Sequence, residues 1–265
     1  MTLAPDPVGL DVSEEGVAIV TLNRPDKRNA FDELMVANLA EHFETLKGAD
    51  HVRVVFLRGA GESFCAGADT EWMRRQSARP LEDNEADALA FARMLKHLHD
   101  LPQLTVALVH GEAMGEGAGL VAACDVAVAL KTTCFRFSEV RLGLTPATFS
   151  PYVIEAIGPR WAKALFATAE SFDGAFAEKI GLVQYAVADA AELQAMTEYL
   201  TELVMGAAPG AVAASKSLVR FVSGHTIDDS LAKEIARRIA QRRASPEGKE
   251  GLAAFLEKRK PGWAS

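Results

Sequence analysis

The sequence predicts an α/β fold followed by a mostly helical C-terminal part. Three observations carry this. Short apolar runs alternate with amphipathic stretches over residues 8–130. From about Ile157 onward helical periodicity dominates. The 265 residues are 49% hydrophobic and 24% charged, a composition that excludes a disordered chain and supplies a sizeable core.

The elements follow in order. Residues 9–12 and 17–22 flank the turn-like Ser13-Glu14-Glu15-Gly16 and read as a hairpin. Asp32 is the expected N-cap of a helix over 33–47, with Leu34, Leu39, Phe43 and Leu46 as its apolar stripe. Residues 52–57 read as a buried strand. A helix over 83–99 precedes Pro102 and a strand over 104–109. Residues 117–124 read as a short buried helix and 126–129 as a further strand. Gly158-Pro159 opens a helix, and residues 172–180 form the next, stopped by Gly181. Helices then cover 190–206, 209–222, 228–243 and 246–258, punctuated by Pro209, Gly224 and Pro246. The reading divides the chain into an α/β core over 1–200 and a helical subdomain over 201–265.

The net charge is −8, unevenly placed: residues 1–215 carry −13 and residues 216–265 carry +5. An acidic body argues against a nucleic-acid partner, with residues 237–243 the one basic strip. The basic tail calls for another explanation. Residues 1–11 lack a basic n-region, and no apolar run is long enough for a membrane span, so neither a leader nor membrane attachment is expected. Cys65, Cys124 and Cys134 match neither a metal-ligand spacing nor an even disulfide framework, which fits a reducing cytoplasmic setting. The six histidines show no metal spacing either.

Four motifs carry the chemistry. Leu22-Asn23-Arg24-Pro25 with Asn29-Ala30 reads by itself as a structural turn. Phe64-Cys65-Ala66-Gly67-Ala68-Asp69 follows a strand; small residues there let a ligand approach the backbone, or simply form a tight turn. Gly111-Glu112-Ala113-Met114-Gly115-Glu116-Gly117-Ala118-Gly119 opens the short helix, whose free N–H groups suit a developing oxyanion. It is not a dinucleotide fingerprint, because no acid follows in a clean βαβ unit. In Phe137-Ser138-Glu139-Val140-Arg141-Leu142-Gly143-Leu144-Thr145-Pro146, Glu139 lies in an apolar stretch. It is either an acid/base group with a raised pKa or half of an ion pair with Arg141.

In this order and spacing the four motifs resemble the crotonase (enoyl-CoA hydratase/isomerase) superfamily, over nearly the whole chain. The tail Ala253-Ala254-Phe255-Leu256-Glu257-Lys258-Arg259-Lys260-Pro261 shares the likeness. Residues 64–69 with Glu71-Trp72-Met73, and residues 138–144 through Ser150-Pro151-Tyr152-Val153, are similar to 3-methylglutaconyl-CoA hydratases of leucine breakdown and their isoprenoid-pathway relatives.

The resemblance implies a superhelical core of repeated ββα units and an acyl-CoA thioester substrate, with no cofactor beyond that substrate's coenzyme A. It places the N–H groups of Ala66 and Glu116 on the thioester oxygen and gives Glu139 the acid/base work. The family's second acid position is Gly119 here. Glu116 stands where the family usually has glycine, so its carboxyl is a candidate substitute. Lys27 and Arg28 are expected near the CoA phosphates or adenine, and Ala66, Gly67, Ala68 and Asp69 along the adenine and pantetheine. Phe255 and Lys258 are expected to reach the CoA of a neighbouring subunit in a homotrimer or dimer of trimers. Trp72, Met73, Phe91 and Tyr152 are acyl-pocket candidates, with core packing as the alternative; Arg141 and Arg160 are candidates for a second substrate carboxylate. The expected activity is hydration of an α,β-unsaturated acyl-CoA. The alternatives are an enoyl-CoA isomerase and a CoA-binding pseudoenzyme or interaction scaffold.

Overall fold

The hairpin forms where the alternation places it. In the computed structural model, which describes residues 6–264, β1 (Val8–Val12) runs antiparallel to β2 (Val17–Leu22). The first five residues of the segment read as leader-free lie outside the described residues. Next come α1 (Glu33–Lys47), β3 (Val54–Gly59), α2 (Thr70–Ser77), α3 (Leu81–His99) and β4 (Leu104–Val109). They are followed by β5 (Glu112–Met114), α4 (Glu116–Ala122), β6 (Val126–Leu130) and β7 (Cys134–Arg136). After a 3-10 turn over Glu139–Leu142 come α5 (Ser150–Thr168), β8 (Phe172–Asp173), α6 (Gly174–Ile180) and β9 (Tyr185–Val187). The chain closes with α7 (Ala190–Met205), α8 (Pro209–Val222), α9 (Asp229–Ala244) and α10 (Pro246–Glu257).

The larger sheet has the order β1-β2-β3-β4-β6-β9 and is parallel beyond the hairpin. A smaller sheet, β5-β7-β8, carries the loops of the site. The strands bury both faces, as the apolar runs require. Val55, Leu57, Ala107 and Val109 point to one core with α1, α3 and α5, while Val54, Phe56, Val106 and Leu108 point to another with Leu200 and Val204 of α7. This is the period-two alternation of strand side chains.

The structure corrects some local readings. Asp32 caps α1, accepting from the Met35 N–H at 2.9 Å, but Leu34 is 63% exposed and Met35 and Val36 are buried instead. Helix α2 goes unread because Trp72 is its single buried residue. Gly158-Pro159 opens a helix as expected, but a first helical segment from Ser150, which the reading lacks, precedes it: α5 is two helices meeting at a kink, with Gly158 non-helical at φ 73° and ψ 162°. Residues 172–173 are a strand, and α6 begins after the Asp173 cap.

The expected division at residue 200 falls inside α7, whose last turns pack on the sheet. Basic residues of the tail pin the later helices to the body. Lys216 donates to the Leu101 and Gln103 carbonyls and pairs with Asp125. Arg220 donates to the His99 carbonyl. Arg237, Arg238, Arg242 and Arg259 pair with glutamates of the same tail. The arginine–glutamate pairs cancel inside the tail, so of the +5 excess Lys216 alone is matched to an acid of the body among the described ion pairs. Among the described residues no helix is long and apolar enough to cross a membrane.

Candidate active site

The site is built on a braced loop. Arg24 pairs with Asp32 at 2.9 Å and with Asp69 at 3.0 Å, and donates to the Ala30 carbonyl. Asn29, buried and at φ 57°, accepts from the Arg24 N–H and donates to the Ala60 and Ser63 carbonyls. These bonds hold residues 24–32 against residues 60–69. They also give Asp69 a structural task. Its carboxylate caps α2 through the Glu71 N–H at 2.8 Å. Burial pushes that carboxyl up, but the Glu71 and Trp72 N–H groups and Arg24 outweigh it and hold it below the usual range.

The same pairing decides which backbone N–H groups are available. The Ala66 N–H donates to the Arg28 carbonyl at 2.9 Å, so it does not face a ligand as expected. Phe31 forms a parallel bridge across Ala68: its N–H donates to the Gly67 carbonyl, and its carbonyl accepts from the Asp69 N–H. A bridge of that kind turns the Ala68 N–H the other way, and it has no backbone acceptor among the described residues. The Glu116 N–H lies at the first turn of α4, without an intrahelical acceptor. The converging donors are therefore Ala68 and Glu116, one residue pair away from the Ala66 assignment.

Glu139 approaches from the 3-10 turn. An ideal Cβ at Gly115 would lie 2.7 Å from Glu139 Oε1, so the absent side chain makes room for the carboxyl. Gly115 also sits at φ 47° and ψ −113°, which L side chains rarely adopt. Glu139 Oε2 is buried without a hydrogen-bond partner in the described structure. Burial raises the Glu139 pKa, with its own N–H a weaker opposing influence. No ion pair joins it to Arg141 among the described residues, and Arg141 and Arg160 are exposed. Burial raises Glu116 as well, its own and the Ala68 N–H groups lower it, and the Glu139 charge adds to the rise, leaving it at about 7.

Gly119 holds no acid, and the packing explains why. An ideal Cβ there would lie 2.6 Å from Phe149 Cβ and Cγ. The aromatic side chain fills the space a second carboxyl at that position would need.

The remaining candidates scatter. Lys27 and Arg28 are exposed after the 3-10 turn Pro25–Lys27, and Arg28 pairs with Glu112 at 2.8 Å rather than standing free. Trp72 and Phe91 belong to the core, Phe91 edge-on to Phe31. Tyr152 packs on His99, beside a different cluster with Asp125, Glu155 and Lys216. Phe255 is 80% exposed on α10, and Lys258 caps that helix at φ 56°; the structure does not bring them to Glu139. Among the described residues no group of three or more His, Cys, Asp or Glu side chains could hold a metal.

The Enoyl-CoA hydratase/isomerase family model matches residues 12–265. The chain belongs to this family. The crotonase fold accounts for the architecture: the structure titled Pseudomonas aeruginosa AtuE superposes with a TM-score of 0.94 at 38% identity, over 98% of this chain and 100% of that one. A short-chain-enoyl-CoA hydratase of Clostridium acetobutylicum is 31% identical, over 94% of this chain and 95% of its own. A 1,2-epoxyphenylacetyl-CoA isomerase of Escherichia coli is 29% identical, over 94% of this chain and 95% of its own. Hydratase and isomerase relatives thus both align along nearly the full length. This crotonase-family chain is an enzyme of the acyl-CoA-handling class, and its particular residues bear on the reaction.

Proposed function

We propose that the protein adds water to an α,β-unsaturated acyl-CoA, with a branched 3-methylglutaconyl-type acyl group as the leading candidate. One observation carries this reading: the Ala68 N–H, which has no backbone acceptor among the described residues, and the Glu116 N–H at the start of α4 lie in the loops beside Glu139, whose Oε2 is buried and unpaired. In this mechanism the thioester oxygen accepts from the two N–H groups, which makes the β-carbon electrophilic. Glu139 takes a proton from water as the oxygen–β-carbon bond forms, and the π pair moves into an enolate held by the donors. Glu139 then returns a proton to the α-carbon, and the thioester carbonyl is restored. One carboxyl serves both transfers, so Gly119 need not carry an acid. No cofactor is required beyond the CoA of the substrate.

Isomerisation is the second reading, because moving one proton between the α- and γ-carbons also needs a single carboxyl. The discriminating experiment incubates the protein with crotonyl-CoA, 3-methylcrotonyl-CoA, 3-methylglutaconyl-CoA and a 3-enoyl-CoA, and identifies products by mass. Gain of one water is the expected result. Unchanged mass with a shifted conjugated absorbance would replace hydration with isomerisation. Binding without turnover would mark a pseudoenzyme.

The reading extends to assembly and location: a cytoplasmic homotrimer or dimer of trimers in which Phe255 and Lys258 contact a neighbour's CoA. Both are exposed, which supports this. Lys258→Ala is then expected to raise KM for acyl-CoA more than it changes kcat. An unchanged KM would remove Lys258 from the binding site.

A further inference from the structure

Two side chains press on α4 where it carries only glycine. At Gly115 an ideal Cβ would be 2.7 Å from Glu139 Oε1. At Gly119 it would be 2.6 Å from Cβ and Cγ of Phe149. The Gly119 N–H donates to the Gly115 carbonyl at 3.0 Å, so the two glycines are one helical turn, about 5–6 Å, apart. The Glu139 carboxyl and the Phe149 ring therefore lie against successive turns of one short helix. The ring is held there. Phe149 is 1% exposed, and its ring centre is 6.0 Å from that of Phe137, which is edge-on to Phe166. Its carbonyl accepts from the Val153 N–H in the first turn of α5. The hydration reading fixes two points of the acyl group: the thioester oxygen at the start of α4 and the β-carbon at Glu139. A chain continuing along α4 past the β-carbon meets the ring. Resting on that reading, we propose that Phe149 is a specificity-determining residue of the acyl pocket: its ring closes the pocket one helical turn past Glu139 and confines substrates to short-chain acyl-CoA thioesters.

The packing supports a wall of this kind. A ring seated among other rings and against helix backbone has no room to retreat, because interiors are close-packed and extra methylenes force side chains off their rotamers. The wall is apolar, so a terminal methyl group packs on it without loss. Gly119 and Phe149 are a matched pair: a side chain at 119 would push the ring away, and a smaller residue at 149 would open space beside α4. That space would be apolar and next to Glu139, so the group suited to fill it is the alkyl chain of a longer thioester. The ring carries no ionisable group, so its effect falls on which chains fit and not on proton transfer.

The test uses two saturated thioesters that do not react, butyryl-CoA and octanoyl-CoA. They are the same up to the β-carbon and differ beyond it. Each is titrated calorimetrically into the wild-type protein, Phe149→Leu and Phe149→Ala. The readout is the ratio of the two dissociation constants within one protein, which partial unfolding or a general loosening does not move. In the wild type, octanoyl-CoA is expected to bind no more tightly than butyryl-CoA. In Phe149→Ala it is expected to gain about tenfold to a hundredfold relative to butyryl-CoA, the effect of burying two or three methylenes in the vacated space. Phe149→Leu removes less volume, disturbs the core less, and is expected to gain less in the same direction. A ratio unchanged in both variants would overturn the proposal and leave Phe149 as core packing alone. So would a wild-type protein that already favours octanoyl-CoA as strongly as the variants do. Absence of binding of either thioester in every protein, wild type included, would overturn the acyl-CoA reading itself, a result distinct from the other two.

Discussion

Glu139→Gln is expected to lower kcat by about 10²–10⁴-fold while leaving KM for acyl-CoA little changed. The argument is geometric first. Glu139 Oε2 is buried and unpaired, and Oε1 occupies the room left by Gly115. Glutamine matches the shape of the carboxyl and keeps the turn, but cannot exchange the proton. Burial also holds the wild-type carboxyl above its ordinary pKa. As the base that accepts a proton from water, it should make kcat rise with pH through an inflection above the usual carboxylate range, and Glu139→Gln should lose that inflection. A structural role would leave a different signature. The neutral amide escapes the burial penalty, so the variant is not expected to be less stable at pH 8. A kcat equal to wild type, with the acidic limb intact, would exclude Glu139 from proton transfer.

The long elements with a sustained apolar period were the legible ones. Asp32 caps α1 where its polar side chain before an apolar period marks the end; a cap alone is not enough, since Asp69 caps α2 as well and that helix, with Trp72 its single buried residue, shows no apolar period. Strands β5, β7 and β9 have three residues each, too few for alternation to declare itself. The site was legible in its region and not in its atoms. The loop 64–69 and Glu139 stood out in the sequence. Which amide of the loop points at the ligand depends on its bridge to Phe31, more than thirty residues earlier, and local pattern holds no trace of that pairing. Ala66 and Ala68 are chemically identical in sequence and opposite in direction in the fold. Asp69 is expected on the substrate side from the family resemblance alone; its partners, Arg24 and the start of α2, make it a cap. The reason for Gly119 lies in Phe149, thirty residues away, and could be read only from the packing.

Glu116→Gln is expected to make folding less sensitive to pH, because the wild-type carboxyl is held at about 7 in the folded protein against an ordinary value of 4.5. Below pH 4.5 the group is protonated in both folded and unfolded chains, and no penalty applies. Between 4.5 and 7 the folded chain keeps a proton that the unfolded chain has lost, so stability falls as pH rises. Above 7 the full penalty persists. Urea unfolding at pH 5 and pH 8 should therefore show the stability gap between Glu116→Gln and wild type widening by about 2–3 kcal/mol at the higher pH. A constant gap would mean that the carboxyl titrates as an exposed one and is not held in the site.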